Sequence, residues 1–157
     1  MEIRNIRISD LPALAEIYIK VSKQSHPEEK WTTQTANTFM EYWLERQPDL
    51  CFLAELDGKI VGAFVAAIKP WWDGNHLVDG EIFIDPEHQN KGIEKPLSKY
   101  MYEAALLKYE VVRIETSTFK ISEFPLSWYK SQGFEELKNW SFISADLKEI
   151  LRNYEKV

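Results

Sequence analysis

An α/β (α+β) fold, with a mixed, mostly antiparallel central sheet flanked by helices, is what the order of segments predicts for these 157 residues. Three observations carry that expectation. Short β-branched runs alternate with stretches whose apolar residues repeat at helical spacing. Asp57-Gly58 separates two apolar runs as a tight hairpin turn requires. No apolar run approaches the roughly 20 residues of a membrane-spanning helix. The order reads β-α-α-β-β-β-α-β-α-β-α, and a sheet with helices on its faces buries such a series.

The elements follow in turn. Ile3 to Ile8 is a short isoleucine-rich strand, and Ser9 reads as the N-cap of a first helix with Asp10 and Pro12 in its first turn. Leu11, Leu14, Ala15, Tyr18 and Val21 form that helix's buried stripe. Thr32 or Thr33 caps a second helix carrying Ala36, Phe39, Met40, Trp43 and Leu44, which Pro48 stops. Cys51–Leu56 and Ile60–Ile68 make the hairpin, a loop follows over 69–76, and Leu77–Asp85 is a strand ended by Pro86. A helix is expected from about Glu94 to Tyr109, a strand over Val111–Thr118 and a short helix over Pro125–Gln132 closed by Gly133. Trp140–Ala145 reads as a last strand, and Leu147, Ile150, Leu151 and Tyr154 mark a terminal helix.

Composition narrows the function. The 45% apolar and 28% charged residues are those of a soluble globular chain, and residues 1–157 read as a single domain. Nineteen basic against 25 acidic residues give a net charge of −6, with no basic patch to meet nucleic-acid phosphate. The single Cys51 excludes a disulfide framework, and three scattered histidines argue for no metal. Met1–Arg4 opens without a long apolar segment, so the cytoplasm is the expected address. Six Trp, seven Tyr and eight Phe exceed the needs of a small core, and some are expected to line a pocket or surface. With the terminal helix, these rings leave a homodimer open.

The segment Ile82 to Leu97 places a strand, a tight loop and a helix start in succession. Free N–H groups at a helix N-terminus attract anions, and Gly92 lets successive amides approach a diphosphate, with Lys91 and Lys95 adding charge. Within it, Gln89-Asn90-Lys91-Gly92-Ile93-Glu94 resembles the acetyl-CoA signature Gln/Arg-x-x-Gly-x-Gly/Ala of the GCN5-related N-acetyltransferase (GNAT) family. Ile6-Arg7 with Ser9-Asp10-Leu11, the hairpin Ala54–Gly62, and Trp128-Tyr129-Lys130-Ser131-Gln132-Gly133-Phe134 are similar to that family's opening, central hairpin and Tyr-x-x-x-Gly-Phe close. The resemblance runs from about Ile3 to Ala145 and leaves residues 146–157 as a terminal helix outside the family core.

The resemblance implies that acetyl-CoA serves as co-substrate. Backbone groups around Ile82 and Ile84 would pair with its pantetheine arm, and amides of Gln89, Asn90, Lys91, Gly92, Ile93, Glu94 and Lys95 would hold its diphosphate. Tyr129 stands where many members keep the acid that protonates the departing thiolate, a task suited to a phenol with an ordinary pKa of about 10. Glu94 stands where the family has Gly or Ala, Pro96 removes one N–H, and Ser122-Glu123-Phe124-Pro125 replaces the family's Asn-x-x-Ala. A carboxylate about 4 Å from phosphate costs about 4 kcal/mol at an effective dielectric of 20, unless it turns to solvent or Lys91 or Lys95 neutralises it. A second reading therefore stays open, a ligand- or partner-binding module of the same fold with a degenerate coenzyme site.

Transfer to an amine needs a base, and Glu81 is the expected one, with Asp79 and Asp85 placed on its face by the two-residue alternation of a strand. Trp71, Trp72 and Asp73, with His76 and with Glu28, Glu29 and Trp31, supply rings and negative charge that suit a small cationic amine. The expected acceptor contacts are Trp71, Trp72, Asp79 and Trp31.

Overall fold

The computed structural model describes residues 1–120 and 123–154, so Ser122 of the altered Asn-x-x-Ala position and the last three residues of the expected terminal helix lie outside them. The chain divides into two compact units, Met1–Thr116 and Ser117–Val157. No described helix is long and apolar enough to cross a membrane.

The first unit holds one five-stranded sheet. Its elements are β1 (Glu2–Asn5), α1 (Leu11–Ser25), α2 (Thr33–Arg46), β2 (Cys51–Leu56), β3 (Lys59–Trp71), β4 (Gly74–Ile84), α3 (Glu94–Tyr109) and β5 (Arg113–Glu115). The strands lie in the order β1-β2-β3-β4-β5. The first three pairings are antiparallel and only β4–β5 is parallel. The mixed, mostly antiparallel sheet of the sequence reading is therefore present.

Local chemistry explains most boundaries. Thr32 caps α2 by accepting from the Thr35 amide. Asp57 and Gly58 have φ of 51° and 76°, the positive values that a two-residue hairpin turn of this type demands. The expected Ser9 cap is not formed, because residues 8–10 make a 3-10 turn and α1 starts after Asp10. Asp10 is drawn into a stronger arrangement: its carboxylate accepts from Arg4 Nη1 and Nη2 at 2.7 and 3.0 Å and from the Arg7 amide at 2.8 Å.

The sheet sorts its side chains into two cores. Leu14 and Ile17 of α1 and Met40 and Trp43 of α2 pack on Leu53, Ala63, Val65 and Phe83. On the other face Leu97, Met101 and Ala105 of α3 pack on Phe52, Val61, Phe64, Leu77 and Ile84. Each fully buried Leu, Met or Phe stabilises by about 1.5–3 kcal/mol. Gly62 admits no larger residue, since an added Cβ would lie 2.6 Å from the Phe83 carbonyl oxygen.

Two expected segments are shorter than the sequence suggests and one is absent. The loop over 69–76 shrinks to the turn between Trp71 and Gly74, because β3 and β4 stay paired to Trp71↔Gly74. The strand expected over 111–118 is paired only at Arg113–Glu115, where β4 offers His76–Val78. Residues 140–145 form no strand, for nothing in the described sheet pairs with them and a lone strand leaves its backbone groups unmatched. The second unit holds α4 (Leu126–Ser131), followed by Gly133 at φ +95°, and α5 (Leu147–Tyr154), whose first amides are accepted by Asp146.

The Arg4 guanidinium holds the Asp10 carboxyl below the usual carboxylate range, against the opposing effect of its burial. A carboxyl with a lowered folded pKa contributes stability above its unfolded pKa and loses it as pH falls through the folded value. Asp10→Asn is therefore expected to lower Tm at pH 7 and to flatten the fall of Tm in acid. Urea or thermal unfolding between pH 2 and 7 checks this, and parallel pH profiles for the two proteins would contradict it.

Candidate active site

The segment joining β4 to α3 is a loop that, among the described residues, leaves several backbone amides without a backbone acceptor. Asp85 Oδ1 accepts from the Glu87 amide at 3.0 Å and Oδ2 from Lys20 Nζ at 3.1 Å, which pins the 3-10 turn Pro86–His88 to α1. Gln89 Nε2 donates to the Ile84 carbonyl at 3.1 Å and ties the loop back to β4. Asn90 and Gly92 take φ of 60° and 76°. A Cβ built on Gly92 would meet nothing within 4 Å, so the backbone there faces open space. Among the described residues no amide from Gln89 to Ile93 donates to another backbone group outside regular elements. Those of Glu94 and Lys95 open α3, where first-turn amides have no intrahelical acceptor. Ile93 is buried and anchors the helix start, while Lys91 and Lys95 are exposed. Glu94 is half-buried, and among the described residues neither lysine forms an ion pair with it.

Next to this loop the sheet forks. β4 pairs with β5 only at His76↔Arg113, Leu77↔Ile114 and Val78↔Glu115. Beyond Val78 no described strand lies on that edge of β4. The break coincides with a bulge: Val78 pairs with Ala67 and Glu81 with Val65, so three steps along β4 match two along β3. Asp79 takes the extra position with φ +57°.

The bulge overturns the simple alternation expected for the acids. Glu81, opposite Val65, now shares the α1–α2 face with Phe83. Asp79 instead points outward to Arg46 Nη2 at 3.3 Å, with a side chain 63% exposed. Asp85 keeps Glu81's parity but is committed to Lys20.

On the face that Glu81 shares with Phe83, α1, α2 and the segment between them supply a cluster of rings. Tyr18 of α1 lies 5.2 Å from Phe83, 5.1 Å from Phe39 of α2 and 5.1 Å from Trp31, in centroid distances. Trp31 Nε1 donates to Glu29 Oε2 at 2.7 Å. Burial, with the charge of Glu29 as the smaller contribution, raises the Glu81 carboxyl to about 7. Burial first, then the charges of Glu81 and Glu29, also raises the Tyr18 phenol, which stays neutral and cannot compete as a base. A carboxyl balanced near neutrality beside a ring-lined surface can receive a proton from an ammonium group.

Trp31 thus belongs to the ring cluster on Glu81's face, whereas Trp71 and Trp72 do not. Trp71 pairs with Gly74 and lies six residues along β3 from Val65, about 20 Å away at 3.3 Å per residue. There the Trp71 ring receives Lys69 Nζ at 4.5 Å, and Trp72 is 86% exposed. His76, expected among the acceptor groups, is buried and bonded to Asp73 Oδ1 at 2.8 Å. Tyr129 belongs to the second unit, where its ring packs 5.0 Å from Trp128 and 5.2 Å from Phe134. Sequence reasoning missed Tyr18 and Phe39 as members of that cluster, because on the stripe of an amphipathic helix a ring facing a pocket and one filling a core have the same spacing.

The chain matches the model of the Acetyltransferase (GNAT) family over residues 11–134. An uncharacterized N-acetyltransferase of Methanocaldococcus jannaschii is 29% identical over 149 residues, covering 88% of this chain and 63% of that protein. The chain therefore spans less than two thirds of that relative's length. The L-amino acid N-acetyltransferase of Escherichia coli is 26% identical over 150 residues, 88% of this chain and 86% of that one. Of solved structures, a possible acetyltransferase from Clostridium difficile superposes with a TM-score of 0.78 at 17% identity, covering 93% and 97% of the two chains. A predicted acetyltransferase from Clostridium acetobutylicum, solved with acetyl-CoA, does so with a TM-score of 0.71 at 16% identity, covering 94% and 97%. The structural likenesses speak for the fold, and the family match extends over most of the sequence: the chain belongs to the acetyltransferase (GNAT) family.

Proposed function

We propose that the chain is an acetyl-CoA-dependent N-acetyltransferase that acylates a primary amine, small and cationic, by direct transfer in a ternary complex. One observation carries this reading: a half-buried carboxyl near neutrality, Glu81, stands on the forked strand that runs into a loop of undonated amides. The names of the M. jannaschii and E. coli relatives support transfer to nitrogen.

Acetyl-CoA supplies an acyl group activated as a thioester. Amides from Gln89 through Lys95 hold the diphosphate, with the open space at Gly92 admitting it, and backbone groups at Ile82 and Ile84 pair with the pantetheine arm along the unpaired edge of β4. Glu81 takes a proton from the acceptor's ammonium, directly or through one water, and the freed nitrogen lone pair attacks the acyl carbon. The family resemblance of Trp128–Phe134 assigns Tyr129 the donation of a proton to the departing thiolate. Trp31, Tyr18 and Phe39 exclude water and present ring faces to the cation, and Glu29 adds negative charge at the rim.

Calorimetric titration of acetyl-CoA into the protein should give a saturable heat. No heat at millimolar ligand would leave only the degenerate binding module. Because Glu81 must be ionised to accept a proton, kcat/KM is expected to rise with pH and level off above about 7. Glu81→Gln should remove that limb and lower kcat/KM by about 10²–10⁴-fold, the range of general base catalysis. An unchanged profile in the variant would remove Glu81 from the mechanism. Tyr129→Phe should reduce kcat while leaving acetyl-CoA affinity nearly intact, and equal turnover would place the acid elsewhere.

A further inference from the structure

A charged cluster sits where β5 leaves β4. Glu115, the last residue of β5, lies opposite Val78, the last paired residue of β4 before the bulge. Its Oε2 accepts from Lys69 Nζ of β3 at 2.9 Å. Its Oε1 lies 3.2 Å from His76 Nδ1 of β4, within ion-pair range though off the line of a hydrogen bond. His76 Nε2 is bonded in turn to Asp73 Oδ1 in the β3–β4 turn at 2.8 Å, and Lys69 also covers the Trp71 ring. One carboxylate thus ties three strands together at the fork. The tie has work to do, because β5 is paired at only three residues, too few to hold an edge strand firmly by its ladder alone.

We propose that Glu115, gripped by Lys69 and His76, is a positioning residue for the acyl donor: it fixes where β5 diverges from β4, and so the groove that receives the pantetheine arm. The role rests on the acetyl-CoA reading above. Glu115 touches neither the reacting atoms nor the diphosphate loop. It acts through the separation of two strands, and losing it lets β5 drift along or away from β4 while both cores of the unit remain packed. Lys69 and His76 serve the same fork from the other side, so replacing Lys69 by Met should reproduce part of the effect.

The test compares Glu115→Ala, Glu115→Asp and wild type for acetyl-CoA binding by calorimetry and for turnover, with Asp10→Asn as a control that weakens the unit far from the fork. Glu115→Ala should raise the Kd and KM for acetyl-CoA about tenfold while sparing kcat at saturation. Glu115→Asp, which keeps the charge, should recover part of the affinity, and Asp10→Asn should lower Tm without moving Kd. Wild-type affinity in Glu115→Ala overturns the proposal, and so does an equal loss in Asp10→Asn at equal Tm. Wild type failing to bind acetyl-CoA overturns the enzymatic reading and this inference with it.

Discussion

The bulge at Asp79 is the constraint from which the rest of the site follows. One extra residue in β4 reverses the facing of everything beyond it, carrying Glu81 from the side of α3 to the side of α1 and α2. At the same point the ladder to β5 ends, and among the described strands none continues along that edge of β4 toward the loop before α3. A left-handed non-glycine residue costs of the order of 1–3 kcal/mol, although Asp tolerates that conformation better than most. The exposed Arg46–Asp79 pair returns at most about 1 kcal/mol. The strain is held mainly by the long β3–β4 ladder on either side of the bulge, which runs from Gly62↔Ile84 to Trp71↔Gly74.

The raised Glu81 carboxyl is costly for a related reason. Raising a glutamic acid from its ordinary value of 4.5 to about 7 corresponds to roughly 3 kcal/mol between its two protonation states. For an acid whose folded pKa is raised, the unfolded chain gives up its proton first, so folding stability falls as pH rises from the unfolded to the folded value and stays reduced above it. At neutral pH the protein therefore carries much of this deficit. The rings of Tyr18, Trp31 and Phe39 on the same side of the sheet offset that cost through their own partial burial and mutual contacts, worth about 0.5–1.5 kcal/mol per aromatic pair.

The sequence disclosed features governed by short-range chemistry. Asp57-Gly58, the Thr32 cap and the strand-loop-helix of 82–97 each depend on neighbours in the chain, and each forms as expected. Features set by partners distant in sequence were hidden. Ser9 lost its cap role because Arg4 claimed Asp10. Asp79 left the face of Glu81 because β3 and β4 are out of step by one residue, which no period of two reveals. With residues 69–76 read as a loop, Trp71 and Trp72 fall among the expected acceptor contacts, but the paired strands carry them to the far end of the hairpin. His76 looked like a free polar group until its partners Asp73 and Glu115 came from a turn and from β5.

The departures at Glu94 and Pro96 weigh less in the folded chain than in the linear one. A cradle relying on the helix terminus alone would lose one of its few donors to Pro96. Here most donors precede the helix, in the turn where left-handed Asn90 and Gly92 break up the chain and leave successive amides free to converge on an anion. Glu94 occupies the first turn of α3, where the helix dipole favours an acid by about 0.3–1 kcal/mol, and the exposed Lys91 and Lys95 flank it in sequence. Under the proposed reading, the repulsion between Glu94 and a diphosphate would depend on the direction of one half-buried side chain, while the attraction would come from a backbone whose shape is fixed by Gln89 at one end and by buried Ile93 at the other.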